Sequence, residues 1–348
     1  MSDRNSGLIW GIAAGAAAIG ALAAIQRVGR RYDFQDKVVL ITGGSRGLGL
    51  VMAREFAQQG ALLAICARDG DELKRAAADL YEHGAEEVFD AICDIQDQSQ
   101  VERTIADVRA RFGRIDALVN NAGIIQVGPL EVQTQKDFED AMQVHFWGPY
   151  YAMKAVLPEM RHRQEGRIIN IISIGGKIPV PHLAPYCASK FALSGLSSTM
   201  HTELAKDNIL VTSVYPGLMR TGSHINAYFK GQNEKEYAMF SIMNGLPTNS
   251  VSAERAARQI IDASRRGDSE CVISLPAKLA AKVHGLFPEF TTELMAFTNR
   301  FLPGKGGIGK AMATGKESTS AAAPSVLTTL SDAASYRNNE LNPDETIH

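Results

Sequence analysis

Through its middle, the chain alternates short apolar runs with stretches of helical periodicity, and this alternation narrows the folds open to it. "KVVLIT" reads as a buried strand, and after a glycine-rich turn "LGLVMAREFAQQG" reads as a helix ended by Gly60. "ALLAICA", "EVFDAICD", "DALVNNAG", "GRIINIIS", "ILVTSVYPG" and "SECVISL" read as further strands, separated by sequence of helical period. Continuous apolar strands between amphipathic helices predict an α/β fold, a doubly wound parallel sheet covered on both faces. Ligands of such sheets bind beyond the carboxyl ends of the strands.

"TGGSRGLG", Thr42 to Gly49, joins the first strand to the first helix. Gly43, Gly47 and Gly49 permit a tight turn and close approach of a pyrophosphate, with Ser45, Arg46 and Leu48 between them. The helix N-terminus adds free N–H groups and a favourable dipole. A literal GxGxxG, "GKGGIG" at 304–309, has no strand before it and no convincing helix after it, so it reads as a flexible loop. Which dinucleotide binds is decided mainly at the end of the second strand, where an NAD enzyme tends to place a carboxylate on the ribose 2′-hydroxyl. Here "ICARD" sets Arg68 after Ala67, and Arg46 in the turn adds a second guanidinium. Two arginines fit a 2′-phosphate and favour NADP(H) over NAD(H). Asp69 stands beside them, and the competing reading is that both are solvated surface arginines.

"APYCASKFAL" places Tyr186 and Lys190 four apart on one helical face. On these residues alone a surface pair and a phenol tuned for proton transfer are both open. An adjacent ammonium would favour the phenolate and lower the phenol pKa from its usual value near 10.

From about Lys37 to Leu275 the chain resembles the short-chain dehydrogenases/reductases. "TGGSRGLG" looks like their cofactor turn, Asp94 in "CDI" like the residue that contacts adenine, and "NNAG" (Asn120 to Gly123) like their fourth-strand motif. Ser173, Tyr186 and Lys190 match their Ser–Tyr–Lys set, and "PGLMRT" (Pro216 to Thr221) looks like the segment that holds the nicotinamide carboxamide. The resemblance implies a Rossmann-type sheet and a carbonyl–alcohol oxidoreductase. Tyr186 would protonate a carbonyl oxygen, Ser173 would bind that oxygen, and Lys190 would bind the nicotinamide ribose. Asn121, Gly123, Pro216, Gly217 and Thr221 would join the glycine turn in holding the cofactor. A homo-dimer or homo-tetramer is also implied. One departure stands out. His145, in "MQVHFWG", occupies the place of the family's usual asparagine. It would replace that residue's role in a proton relay, add a titratable group, slow turnover, or merely fill space.

The segment "SHINAYFKGQNEKEYAMFSIMNGLP" corresponds to the family's variable substrate lid, where Tyr228, Phe229, Tyr237, Met239, Phe240 and Met243 imply a lipophilic substrate. A non-catalytic NADP(H)-binding sensor or scaffold and an NAD-dependent alcohol oxidation are the alternative functions.

Four cysteines, Cys66, Cys93, Cys187 and Cys271, are widely spaced, as in a reduced compartment. No HExxH-like spacing suggests a metal, and a net charge of -2 gives no reason to expect a nucleic acid. Gly7 to Ile25 is uncharged and as a helix would span roughly 28 Å, enough to approach a hydrocarbon core. Arg27, Arg30 and Arg31 follow it, which would place a membrane-anchored catalytic domain on the cytoplasmic side. A helix lying on a membrane or packed on protein, with a soluble cytoplasmic enzyme, competes with that reading. The expected organisation is an apolar helix at 7–25, a catalytic domain at 36–275, an amphipathic extension at 276–309 and a poorly ordered tail at 310–348.

Overall fold

The computed structural model describes residues 31–342, 345 and 346. The apolar segment 7–25 lies outside the described residues, and among those described no helix is long and apolar enough to cross a membrane.

Strand β1 (Val38–Thr42) leads into helix α1 (Gly47–Ala57), then β2 (Leu62–Ala67), α2 (Gly70–Glu82), β3 (Val88–Ile92) and α3 (Gln98–Phe112). Next come β4 (Ala117–Asn120), the short β5 (Gln126–Val127) and α4 (Gln135–Met142). A π-helical turn, Gln143–Trp147, joins α4 to α5 (Gly148–Arg163). Then follow β6 (Gly166–Ile171), α6 (Ala184–Leu204), β7 (Ile209–Pro216), β8 (Leu218–Arg220) and β9 (Tyr228–Phe229). The chain continues through α7 (Asn233–Gly245), β10 (Ser250–Ser252), α8 (Ala253–Arg266) and β11 (Glu270–Ile273). It closes with α9 (Leu275–Leu286), α10 (Pro288–Asn299), β12 (Ala313–Thr314) and α11 (Thr329–Arg337).

Seven strands form one parallel sheet in the order β11-β7-β6-β4-β1-β2-β3. Side chains alternate across each strand, so neighbouring residues of β1 serve opposite faces. Val39 and Ile41 pack with Leu63, Ile65 and Phe56, while Val38 and Leu40 pack with Ala64, Leu118 and Ile168. Both faces are covered by helices, which is why the strands read as unbroken apolar runs. Local chemistry sets the helix ends. The Asp69 carboxylate caps α2, Asp97 caps α3, and Gly113 at φ 80° ends α3 in the left-handed region.

The amphipathic extension forms two helices, α9 and α10, with a break at Phe287 before Pro288. Leu279, Leu286, Phe287 and Phe290 along it and Phe301 just beyond it are exposed. The "GKGGIG" loop forms no helix and is tied to the backbone of Gly231 through Ile308 and Gly309. One expectation at the C-terminal end is corrected: the expected disordered tail instead folds back onto the catalytic domain. β12 pairs with β9, and α11 packs against α7. Its residues are small and polar, and they are held by side-chain hydrogen bonds that leave no hydrophobic period to read.

The core on one face begins before the first strand. Phe34 is fully buried, edge-on to Phe56 at 4.9 Å and to Tyr32 at 5.2 Å. Phe34→Ala is expected to cost about 3–5 kcal/mol, read as a lower urea midpoint at an unchanged slope. A loss below 1 kcal/mol would show that this aromatic stack carries little of the fold.

Candidate active site

The carboxyl ends of the strands open into a cavity of ≈ 770 Å³. Its wall includes Gly43, Ser45, Arg46, Gly47, Leu48, Arg68, Asp94, Asn121, Gly123, His145, Ser173, Tyr186, Lys190, Pro216, Gly217 and Thr221. Among the candidate residues Gly49 is not on that wall. It lies one step behind, where a methyl group would collide with the Gly43 carbonyl and sit 2.6 Å from Asn121 Nδ2. Gly43, at φ +63°, faces the Cα of Ala122 at 2.8 Å from where its own Cβ would be. These glycines let α1, the turn and the end of β4 close on one another.

Asn121 holds that closure. Its Nδ2 donates to the carbonyls of Thr42 (3.1 Å) and Gly43 (2.9 Å), so its amide braces the turn. Asn120 continues the brace sideways. Its Nδ2 donates to Asn170 Oδ1 at 2.8 Å, and Asn170 donates to Ser197 Oγ at 2.9 Å, linking β4, β6 and α6. Asp94 turns its carboxylate to its own loop, where Oδ1 accepts from the Gln96 N–H.

The three candidate catalytic side chains meet on the cavity floor. Ser173 follows β6, and its Oγ accepts from the Gly175 N–H at 3.1 Å. Lys190 Nζ donates to the Ile171 carbonyl at 2.9 Å and lies 5.6 Å from the centroid of the Tyr186 ring. Helical spacing therefore brings phenol and ammonium together, as expected. Their electrostatics differ from the expectation, however. Burial pushes the Tyr186 phenol up to about 12, opposed in part by a hydrogen bond from Ser173. Burial also pulls the Lys190 ammonium down to about 7. The phenol is not held below its usual range, because desolvation outweighs the hydrogen bond from Ser173.

His145 is fully engaged. The single hydroxyl proton of Ser189 goes to the Tyr186 carbonyl at 2.8 Å. The 2.8 Å contact between His145 Nδ1 and Ser189 Oγ therefore requires the proton on Nδ1. Nε2 keeps its lone pair and accepts from the Ile124 N–H at 3.1 Å. Burial and the Lys190 charge hold the imidazole well below its usual pKa, in agreement with this neutral tautomer. The ring stands edge-on to Tyr186 at 5.2 Å, within the π-helical turn. It supports the site and does not add a free titratable group.

The two arginines line the same cavity. Arg46 Nη1 donates to Glu72 Oε1 at 2.8 Å, and Ser45 Oγ donates to Glu72 Oε2 at 3.0 Å. Asp69 also lines the cavity, and it caps α2. Its Oδ1 accepts from the N–H groups of Asp71 and Glu72, which lower its pKa.

The expected lid is divided. Tyr228 and Phe240 line the cavity, whereas Phe229 and Tyr237 are buried in a small core with Val127 and Ala227. Met243 is exposed, and Met239 is half-buried off the wall. Pattern reading missed Ile125, Val180 and Leu183, which complete the apolar wall, because they sit in connections with no periodicity. It also missed Glu340, which reaches the cavity from the tail. No signal in the sequence pointed there.

Residues 37–229 match the family described as short chain dehydrogenase. Dehydrogenase/reductase SDR family member 7B of Danio rerio is 31% identical over 82% of this chain and 92% of its own. A dehydrogenase/reductase SDR family protein 7-like of Anopheles gambiae is 35% identical over 70% of this chain and 77% of its own. A solved short-chain dehydrogenase from Streptomyces avermitilis superposes with a TM-score of 0.65 at 29% identity, covering 76% of this chain and 97% of its own. The L-sorbose reductase of Gluconobacter frateurii, solved with NADPH and L-sorbose, gives 0.63 at 28%, covering 70% and 97%. The chain belongs to the short-chain dehydrogenase family, which binds NAD(P)(H), and is an oxidoreductase acting on CH–OH groups.

Proposed function

We propose that the protein is an NADP(H)-dependent oxidoreductase that interconverts a carbonyl and an alcohol on a lipophilic substrate, with Tyr186 as the acid–base group. The observation that carries this reading is that Ser173, Tyr186 and Lys190 line the same cavity as Arg46 and Arg68. The residues fit a phosphorylated dinucleotide once the Asn338 carbonyl, which accepts from the Gly47 N–H, is displaced: Gly43, Gly47 and Gly49 leave the turn without side chains at the N-terminus of α1. Asp69 spends Oδ1 on capping α2, and Glu72 beside it is already bonded by Ser45 and Arg46.

When bound, the nicotinamide exchanges a hydride with the substrate carbon. The protein handles the proton. Tyr186 is held in its protonated form, so it has a proton to give to a carbonyl oxygen, which favours reduction. The Ser173 hydroxyl would donate to the same oxygen as charge develops on it. Lys190, fixed on Ile171, would offset the phenolate left behind. Ile125, Val180, Leu183 and Phe240 give the substrate end an apolar lining.

Titration of the full chain with NADPH and NADH should show at least a tenfold preference for NADPH, abolished in the Arg46→Ala, Arg68→Ala double variant. Equal affinities would overturn the 2′-phosphate reading. Tyr186→Phe should lower the reduction rate by about 10²–10⁴ while NADPH binding stays within twofold. Retained turnover would remove Tyr186 from the chemistry. For the wild type, kcat/KM for reduction should fall as pH rises through about 7, where Lys190 loses its charge. A flat profile from pH 6 to 9 would refute that role.

His145 should stay neutral with its proton on Nδ1 as pH falls from 8 to 5, which nitrogen NMR can follow. Because its native pKa lies below the unfolded value of about 6.5, its contribution to stability is present above that pH. It is lost as the pH falls toward the depressed native value. A titration centred near 6.5 in the folded protein would contradict the hydrogen-bond assignment.

A further inference from the structure

The last described residues lie across the edge of the cavity at the N-terminus of α1. The Gly47 N–H, the first of that helix, donates to the Asn338 carbonyl at 2.8 Å. Asn338 Nδ2 donates to the Thr221 carbonyl at 3.0 Å, and Ser335 Oγ donates to the Gly222 carbonyl at 3.1 Å. Asn339 Nδ2 donates to the carbonyls of Ser45 (2.9 Å) and Glu72 (3.0 Å), and Arg75 Nε donates to Asn339 Oδ1 at 2.8 Å. The segment thereby joins the glycine turn to the 216–222 segment on the facing side. Glu340 occupies the gap between them. It is 4 % exposed, and Oε1 lies 2.5 Å from where a Cβ on Gly47 would be. Oε2 is 3.4 Å from Arg46 Nε and accepts from Asn226 Nδ2 at 2.7 Å.

A carboxylate therefore stands against Gly47 of the turn and beside Arg46, while the Gly47 N–H is taken by the Asn338 carbonyl of the same segment. We propose that the segment 335–341 is an internal occupant of the phosphate-binding turn, with Glu340 as the competing anion, so that dinucleotide and C-terminal segment bind in competition. The proposal rests on the cofactor reading given above. Two anions cannot share the turn without like-charge repulsion. Tethering makes even a weak contact an effective competitor, because its local concentration is on the order of millimolar. The apparent affinity for the cofactor then falls by the fraction of molecules in which the turn is free. The occupant is also imperfectly compensated. Burial pushes the Glu340 carboxyl up, and Arg46 and Asn226 offset this only in part while Glu72 adds to it. A dinucleotide that brings phosphates to the same donors can displace it.

The test uses the full chain, its Glu340→Gln and Glu340→Ala variants, and hydrogen exchange of residues 329–342 with and without cofactor. Both variants should bind NADPH and NADH about tenfold more tightly than the wild type. Exchange at 335–341 in the wild type should accelerate on adding either dinucleotide. Slowed or unchanged exchange, or no tightening in either folded variant, would overturn the proposal and make the segment a fixed wall of the cofactor site. Should neither variant fold, the exchange of the wild type decides alone. The cofactor reading is judged separately. Tightening of both dinucleotides with an NADPH-to-NADH ratio near one would keep the competition and sink the 2′-phosphate assignment. No binding to wild type or variant would overturn both.

Discussion

Lys190 carries an ammonium into the floor of the sheet's open end and anchors it on the carbonyl of Ile171, the last residue of β6. That bond fixes α6 in its rotation and height against the sheet. Tyr186, one turn earlier on the same helical face, is thereby set over the cavity. The cost of desolvating the ammonium shows in its depressed pKa, and the phenol beside it is pushed the opposite way by the same burial. Each group resists charging in the dry floor. Under the proposed function, separation of charge there becomes favourable only when an anion develops on the substrate oxygen, the condition under which an acid–base pair would be selective for its transition state.

The remaining polar groups near the floor serve to hold this pair still. His145 spends both ring nitrogens, one on Ser189 and one on the backbone of Ile124. Ser189 passes the link to the carbonyl of Tyr186 itself. The π-helical turn at Gln143–Trp147 carries the imidazole into this position. An imidazole with no free lone pair and no free proton cannot relay protons, so a ring buried here acts by position. Placement of the base depends on supporting hydrogen bonds as much as on its own rotamer.

How much of this was legible in the sequence follows from which force holds each part. The seven central strands were readable because both faces of the sheet are buried, and "KVVLIT" or "ILVTSVYPG" can be little else. The glycine turn and the Tyr186–Lys190 spacing were readable because steric approach and helical geometry restrict the residues that fit. By contrast, β5, β8, β9 and β12 span only two or three residues and pair through backbone atoms that no side chain announces. The lid pattern misled for a related reason. Tyr237 and Phe229 have the composition of a binding surface, yet tertiary packing turned them into core. The segment after residue 310 has the composition of a disordered tail, and Asn338, Asn339 and Glu340 tie it down by hydrogen bonds that composition cannot foretell.

Arg46 shows how the two ends of the chain came to share one problem. A guanidinium beside a glycine turn is a strong anion site whether or not phosphate is present. Glu72, from α2, takes one edge of it, and Glu340 approaches another. Glu72 sits on the rigid scaffold, since its helix is capped by Asp69. Glu340 belongs to a segment held mainly by polar contacts, without the apolar packing that fixes α2 through Leu73, Ala76 and Leu80. The two carboxylates therefore differ in what it takes to move them. A phosphate can replace Glu340 as acceptor toward Arg46 and Asn226, with the bonds of Ser335, Asn338 and Asn339 to backbone carbonyls passing to water, whereas Glu72 is carried by a helix packed on the sheet.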